Sequence, residues 1–240
     1  MNNNSEGHTV KQYDAELGHL NERVQTMGRQ VLDLVNDAVL AFNTLDLQLA
    51  QSVIGRDHAI DELERYIDAE VIRLLARRAP LGGDLRRIMT VSKSASDLER
   101  IADEAVRIGS TVIQHFGSEG LELSRQLRRN VNTMMKRATA CLQGALNLFD
   151  DDGESPAETL AGRQRAAGDE FESELRRLMT YAMEDPRTIG PVMNIVLVFK
   201  SLERIAHYAE NLIEYVLLED DAERYAGPQP HVNPGQQNDH

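Results

Sequence analysis

Five residues, Leu98-Glu99-Arg100-Ile101-Ala102, recur letter for letter as Leu202-Glu203-Arg204-Ile205-Ala206, 104 residues further on in a chain of 240. A repeat of that period constrains the fold more than any other feature, because each copy must be one supersecondary unit with its own apolar face to bury. The repeat extends beyond the five-residue match. Val24, Met27, Val31, Leu34, Ala38, Ala41 and Leu45 are spaced alternately by three and four, and Val131, Met134, Ala138, Cys141, Ala145 and Leu148 follow the same rhythm 107 residues later. Leu20 has its counterpart in Leu127. A three-four alternation is the seam of an antiparallel helical bundle.

Composition agrees with helices. Aromatic residues make up 5% and Trp is absent, which disfavours a sheet-rich chain. The first helix is expected over about 11–43. The second runs over 46–78, with Ile60, Leu63, Ile67, Val71 and Leu74 inward. The third runs to about His115, with Ile88, Val91, Ala95, Leu98, Ala102 and Ala105 inward. The stretch Ala79-Pro80-Leu81-Gly82-Gly83-Asp84 separates the second from the third, two glycines ending one helix and Asp84 starting the next. Gly117-Ser118-Glu119-Gly120 marks a boundary, after which the plan repeats. The fourth helix ends at Asp150-Asp151-Asp152-Gly153. Ser155-Pro156-Ala157-Glu158 opens the fifth as a capping box, and Glu184-Asp185-Pro186 closes it. The sixth covers about 189–218. Three long helices joined by short loops run up, down, up. The expected fold is all-α: two tandem, similar three-helix bundles over 12–117 and 118–219, with polar, disordered tails at 1–11 and 220–240.

The formal net charge of −13 argues against a general nucleic-acid binder. The first residues hold no apolar signal-peptide core, and the longest unbroken apolar run is Ile195 to Phe199, far short of a membrane span. A cytoplasmic protein is expected. The single cysteine, Cys141, falls on an apolar stripe and reads as a buried, inert thiol.

Carboxylates carry the candidate chemistry. Asp57 and Asp61 are separated by four, as are Glu99 and Asp103, so each pair shares a helix face. If the second and third helices are antiparallel about Gly82, both pairs fall at similar heights, at ~1.5 Å of rise per residue. Two readings stay open on spacing alone. One is a solvated acidic face, with Asp61 paired to Arg65 and Asp103 to Arg107. The other is a hard-cation site: clustered oxygen ligands repel one another until a cation neutralises them, and they suit iron, manganese, magnesium or calcium. Glu16 and His19 have the Glu-x-x-His spacing of di-iron bundles, but once only, which reads as coincidence. His58 and His115 read as surface residues. The arginine clusters (Arg77-Arg78, Arg86-Arg87, Arg125 with Arg128-Arg129) read as solvated faces that could also hold anions or an acidic partner.

Asp84-Leu85-Arg86-Arg87-Ile88, then Ser92-Lys93, then Asp97-Leu98-Glu99-Arg100-Ile101-Ala102-Asp103-Glu104-Ala105 resembles the signature of the PhoU phosphate-signalling family, in which Leu-Glu-Arg-Ile recurs in each half. The resemblance spans the chain between its tails. It implies two three-helix bundles and multinuclear metal sites built from Asp/Glu-x-x-x-Asp motifs, taking divalent or trivalent iron, manganese, zinc or magnesium. Carried over, the first site uses Asp57, Asp61, Glu99 and Asp103. The second uses Asp169, Glu203 and His207, and departs from the pattern: His207 replaces the motif's Asp, and Arg165 stands where Asp57 has its counterpart. A guanidinium cannot ligate a cation. The resemblance further implies a non-enzymatic negative regulator of the phosphate-starvation response. Such a regulator links the ATPase subunit of a phosphate-specific ABC transporter to a sensor histidine kinase, forms homodimers and reaches the membrane only through partners. The alternative is a carboxylate-type metal-binding bundle acting as an enzyme or a metal store.

Overall fold

The computed structural model describes residues 3–116, 125–150, 173, 175–180, 182–184 and 189–225. It is all-helical: α1 (Asn3–Thr44), α2 (Leu47–Arg78), α3 (Gly83–Phe116), α4 (Arg125–Asp150), α5, described over 175–180 and 182–184, and α6 (Ile189–Tyr225).

Local chemistry sets the turns. Asp46 caps α2, its carboxylate accepting from the backbone N–H groups of Gln48 and Leu49, each at 3.0 Å. Such a cap is worth ~1 kcal/mol. Leu45, just before it, takes a positive φ of 55°. The other end of α2 corrects the expectation that glycine closes it. Ala79 takes the left-handed conformation, φ 45°, and its N–H returns to the Leu75 carbonyl at 3.1 Å. Gly82 supplies a second positive φ, 59°, immediately before α3.

Two helices outrun their expected ends. α1 begins at Asn3 instead of near Lys11, since the stretch from Ser5 to Gln12 holds no proline, and Glu6, Lys11 and Gln12 favour helix against the cost of Gly7. α6 continues past Asp220 to Tyr225, its acidic run being compatible with helix. The tails expected to be disordered are therefore helical over 3–11 and 220–225. The boundary at Gly117–Gly120, the capping box at Ser155, the break at Pro186 and residues 226–240 lie outside the described residues.

Cross-helix contacts fix the directions. Asp37 meets Arg56 at 2.6 Å, and Glu16 meets Arg78 at 3.4 Å. Numbers rise on one helix as they fall on the other, so α1 and α2 are antiparallel. Ser92 with Asp68 (3.1 Å) and Ser96 with Glu64 (3.0 Å) establish the same for α2 and α3. Each of α1, α2 and α3 touches the other two, α4 packs on α6, and α1–α4 and α3–α6 contacts join the halves. Gly109 allows a close approach, since a Cβ there would sit 3.2 Å from the Ala50 carbonyl oxygen.

The apolar stripes lie where their spacing puts them. Val24, Met27, Val31, Leu34, Ala38 and Ala41 on α1 are buried, as are Val131, Met134, Ala138, Ala145 and Leu148 on α4, in one core continuous through both halves. Leu45, Leu63 and Cys141 pack at its margin, so Cys141 is half-buried instead of fully enclosed. Among the described residues no helix is long and apolar enough to cross a membrane.

Candidate metal centre and family

The antiparallel register of α2 and α3 builds a polar ladder. Its first rungs are Asp68–Ser92 and Glu64–Ser96. One and two turns on, the ladder becomes carboxylate against carboxylate, with Asp61 and Asp57 facing Glu99 and Asp103. Their charges help raise the carboxyls of Glu99 and Asp57, as expected of acids brought onto neighbouring faces. Burial, then Asp103, Glu64, Asp61 and Asp57 in turn, push the Glu99 carboxyl up to about 7. Burial, then Asp61 and Asp103, also raise Asp57, against the smaller opposing effect of His58. All four acids of the first expected site are therefore brought to one patch, and its donors are hard oxygens that suit a hard cation. As placed, no three His, Cys, Asp or Glu side chains among the described residues are gathered tightly enough to hold one ion. The acids form an open patch on the bundle surface.

The expected surface ion pairs do not form. Arg65 donates to the backbone carbonyl of Asp61 at 3.1 Å, not to its carboxylate. Arg107 turns to Glu104, at 3.8 Å, instead of Asp103. Among the described residues no Lys or Arg is paired with Asp57, Asp61, Glu99 or Asp103.

The second copy is arranged differently. Glu203 is held by Lys200 at 2.6 Å, and His207 faces Glu210 at 4.0 Å. Asp169 and Arg165 lie outside the described residues. Of the weaker candidates, Glu16 is held by Arg77 and Arg78, His19 faces Glu22, and His58 faces Glu62. Arg78, its side chain 16% exposed, thus ties α1 to α2, while Arg77 keeps half of its side chain in solvent.

Sequence reasoning missed Glu64, which stands seven residues after Asp57 and contributes to the repulsion at Glu99. The run Asp57, Asp61, Glu64, Asp68 is a four-three-four acidic stripe and could have been read directly. It also missed the seam between the halves. Asp97 and Glu104 are buried acids flanking the repeated motif, 1% and 3% exposed. Asp97 accepts from Arg100 (2.9 Å), Asn211 (3.1 Å) and Tyr215 (2.9 Å). Glu104 accepts from Arg204 at 3.0 Å. Burial first, and then the bond to Asp97, push the Tyr215 phenol up to about 12.

Tandem three-helix bundles with an open carboxylate patch place the chain among all-helical bundle proteins. Residues 24–112 match the family model described as the PhoU domain. The chain is 39% identical over 211 residues to the phosphate-specific transport system accessory protein PhoU homolog of Pseudomonas aeruginosa, covering 88% of this chain and 86% of that one. The crystal structure of PhoU from Pseudomonas aeruginosa superposes with a TM-score of 0.82 at 39% identity, over 87% of this chain and 99% of that one. The phosphate transport system regulatory protein PhoU from Streptococcus pneumoniae does so with a TM-score of 0.77 at 26% identity, over 87% and 96%. The chain belongs to the PhoU family. It is a PhoU-type accessory and regulatory protein, not an enzyme.

Proposed function

We propose that this chain is a cytoplasmic adaptor that represses the phosphate-starvation response and modulates phosphate uptake. Its mechanism is contact rather than catalysis. One surface engages the ATPase subunit of a phosphate-specific ABC transporter, another engages a sensor histidine kinase, and the kinase is held in its non-phosphorylating state while phosphate is plentiful. The observation that carries this reading is the near full-length match to phosphate-specific transport accessory proteins. We further propose that Asp57, Asp61, Glu99 and Asp103 take up a hard divalent or trivalent cation. The uncompensated repulsion at Glu99 supports that assignment, because a cation is what such a cluster lacks. Asp169, Glu203 and His207 form at most a weaker second site, since Lys200 already neutralises Glu203. The functional unit is a homodimer.

The purified chain should bind both the ATPase subunit and the cytoplasmic part of the kinase in calorimetric titrations. Binding to neither, with folded components, would remove the adaptor reading.

A further inference from the structure

The two repeats differ along the outer face of the α3–α6 pair. On α3, Arg86, Lys93, Arg100 and Arg107 are spaced by seven. A seven-residue step drifts only ~20° around a helix, so the four form one stripe. Their counterparts 104 residues on are Gly190, Leu197, Arg204 and Asn211, of which one is cationic. Arg100 and Arg107 are drawn inward to Asp97 and Glu104. Arg86 and Lys93 have no carboxylate partner among the described residues; Lys93 lies over the Tyr215 ring, 5.3 Å from its centre.

These two cations line a groove of about 280 Å³ together with Met89, Thr90, Tyr215 and Leu218. Its apolar members stand open, Met89 being 41% and Leu218 63% exposed. Met193, the counterpart of Met89, is also half-exposed at 49%. Both repeats therefore keep the apolar residue, and where the first flanks it with Arg86 and Lys93 the second has Gly190 and Leu197.

We infer that this groove docks an acidic segment of a partner protein, one that inserts an apolar side chain beside Met89 and Leu218 and sets carboxylates against Arg86 and Lys93. Methionine adapts to an incoming apolar side chain, and two uncompensated cations select carboxylates. The chain's net charge of −13 decides against an extended anionic partner such as a bilayer. Beyond a Debye length of ~8 Å the overall negative field repels a broad surface, whereas a narrow segment entering the groove meets the local cations. The inference rests on the adaptor reading for the existence of a partner and adds the surface and its chemistry.

The test uses the full chain and a labelled, synthetic helical peptide with Glu on one face and Leu at four-residue spacing on the other, followed by fluorescence anisotropy. Saturable binding is expected, weakened about tenfold by the pair Arg86→Glu and Lys93→Glu, or by exchanging the peptide's Leu for Ser. Met193→Ser should change it less than about twofold. If the double reversal proves unfolded by circular dichroism, Arg86→Gln with Lys93→Gln replaces it, with a loss of about threefold expected. No saturable binding, or equal binding by the variants, overturns the inference. So does charge-dependent binding to phosphatidylglycerol vesicles that is tighter than to the peptide. In the host, a double variant that has lost peptide binding but still represses overturns this surface and leaves the adaptor reading standing. Unchanged repression on deleting the whole chain removes the adaptor reading itself.

Discussion

Arg204 donates to Glu104 at 3.0 Å across the seam between the two halves, and the two residues occupy positions one turn apart in a single repeated motif. Arg204 is the second copy of Arg100, and Tyr208 stands 104 residues beyond Glu104. Arg100 lies over the Tyr208 ring at 5.8 Å. The same two positions therefore meet reciprocally, as across a twofold axis, with α3 and α6 antiparallel. Midway between these rungs lie Ala102 and Ala206, both buried. Small residues at a crossing let helices approach closely, which is why the identical five-residue stretch ends in Ala in both copies. Removing Arg204 leaves the buried Glu104, among the described residues, with Arg107 at 3.8 Å. Removing Arg100 leaves Asp97 with Asn211 and Tyr215. Arg204→Ala should therefore lower the urea midpoint more than Arg100→Ala, and equal midpoints would contradict this account of the seam.

Tyr215→Phe deletes one donor to a buried carboxylate. A hydrogen bond to a charged group is worth about 1.5–3 kcal/mol, and the remaining donors soften the loss, so a cost of about 1–2 kcal/mol is expected in denaturant unfolding. A spectrophotometric titration should also lose the phenol that ionises at about 12.

The carboxylate patch makes the metal-free protein pH-sensitive. Glu99 rises from 4.5 to about 7 on folding. Below the lower value both states are protonated and nothing is lost. Between the two values the unfolded chain has ionised while the folded one keeps its proton, so stability falls as pH rises, and above the upper value the loss is constant. Asp57, also raised, acts in the same sense. After discounting for solvent screening of a partly exposed group, a decline of about 1–2 kcal/mol across this window is expected. Glu99→Gln should flatten most of it in urea melts at successive pH values.

Metal loading should divide unequally between the copies. Glu99→Ala with Asp103→Ala should remove most metal bound after reloading, whereas Glu203→Ala with His207→Ala should remove little, because Lys200 already compensates Glu203. Elemental analysis decides. Equal losses would assign both copies the same chemistry, and no metal in the unaltered protein would reduce the patch to a solvated acidic face.

Much of this was legible in the residues. The three-four stripes on α1 and α4 located the core because burial follows helical periodicity directly. The convergence of Asp57 and Asp61 on Glu99 and Asp103 followed from a turn at Gly82 and a fixed rise per residue. The ion pairs were not legible. Spacing by four paired Asp103 with Arg107, but Glu104 one residue away, almost fully buried, competes for the same guanidinium more strongly than the half-buried Asp103. The seam was hidden for a related reason: nothing in the spacing of Asp97 and Glu104 shows that α6 covers them with Arg204, Asn211 and Tyr215. The end of α2 at Arg78 was legible, but that Ala79 instead of a glycine takes the left-handed cap was not, because a left-handed alanine costs energy that only the surrounding turn can offset.

Deletion of the chain from its host, with a phosphate-starvation promoter driving a reporter in phosphate-replete medium, tests the central claim most directly. The account predicts high reporter expression despite ample phosphate, returned to the repressed level by the intact gene. Repression that persists without the chain would contradict it.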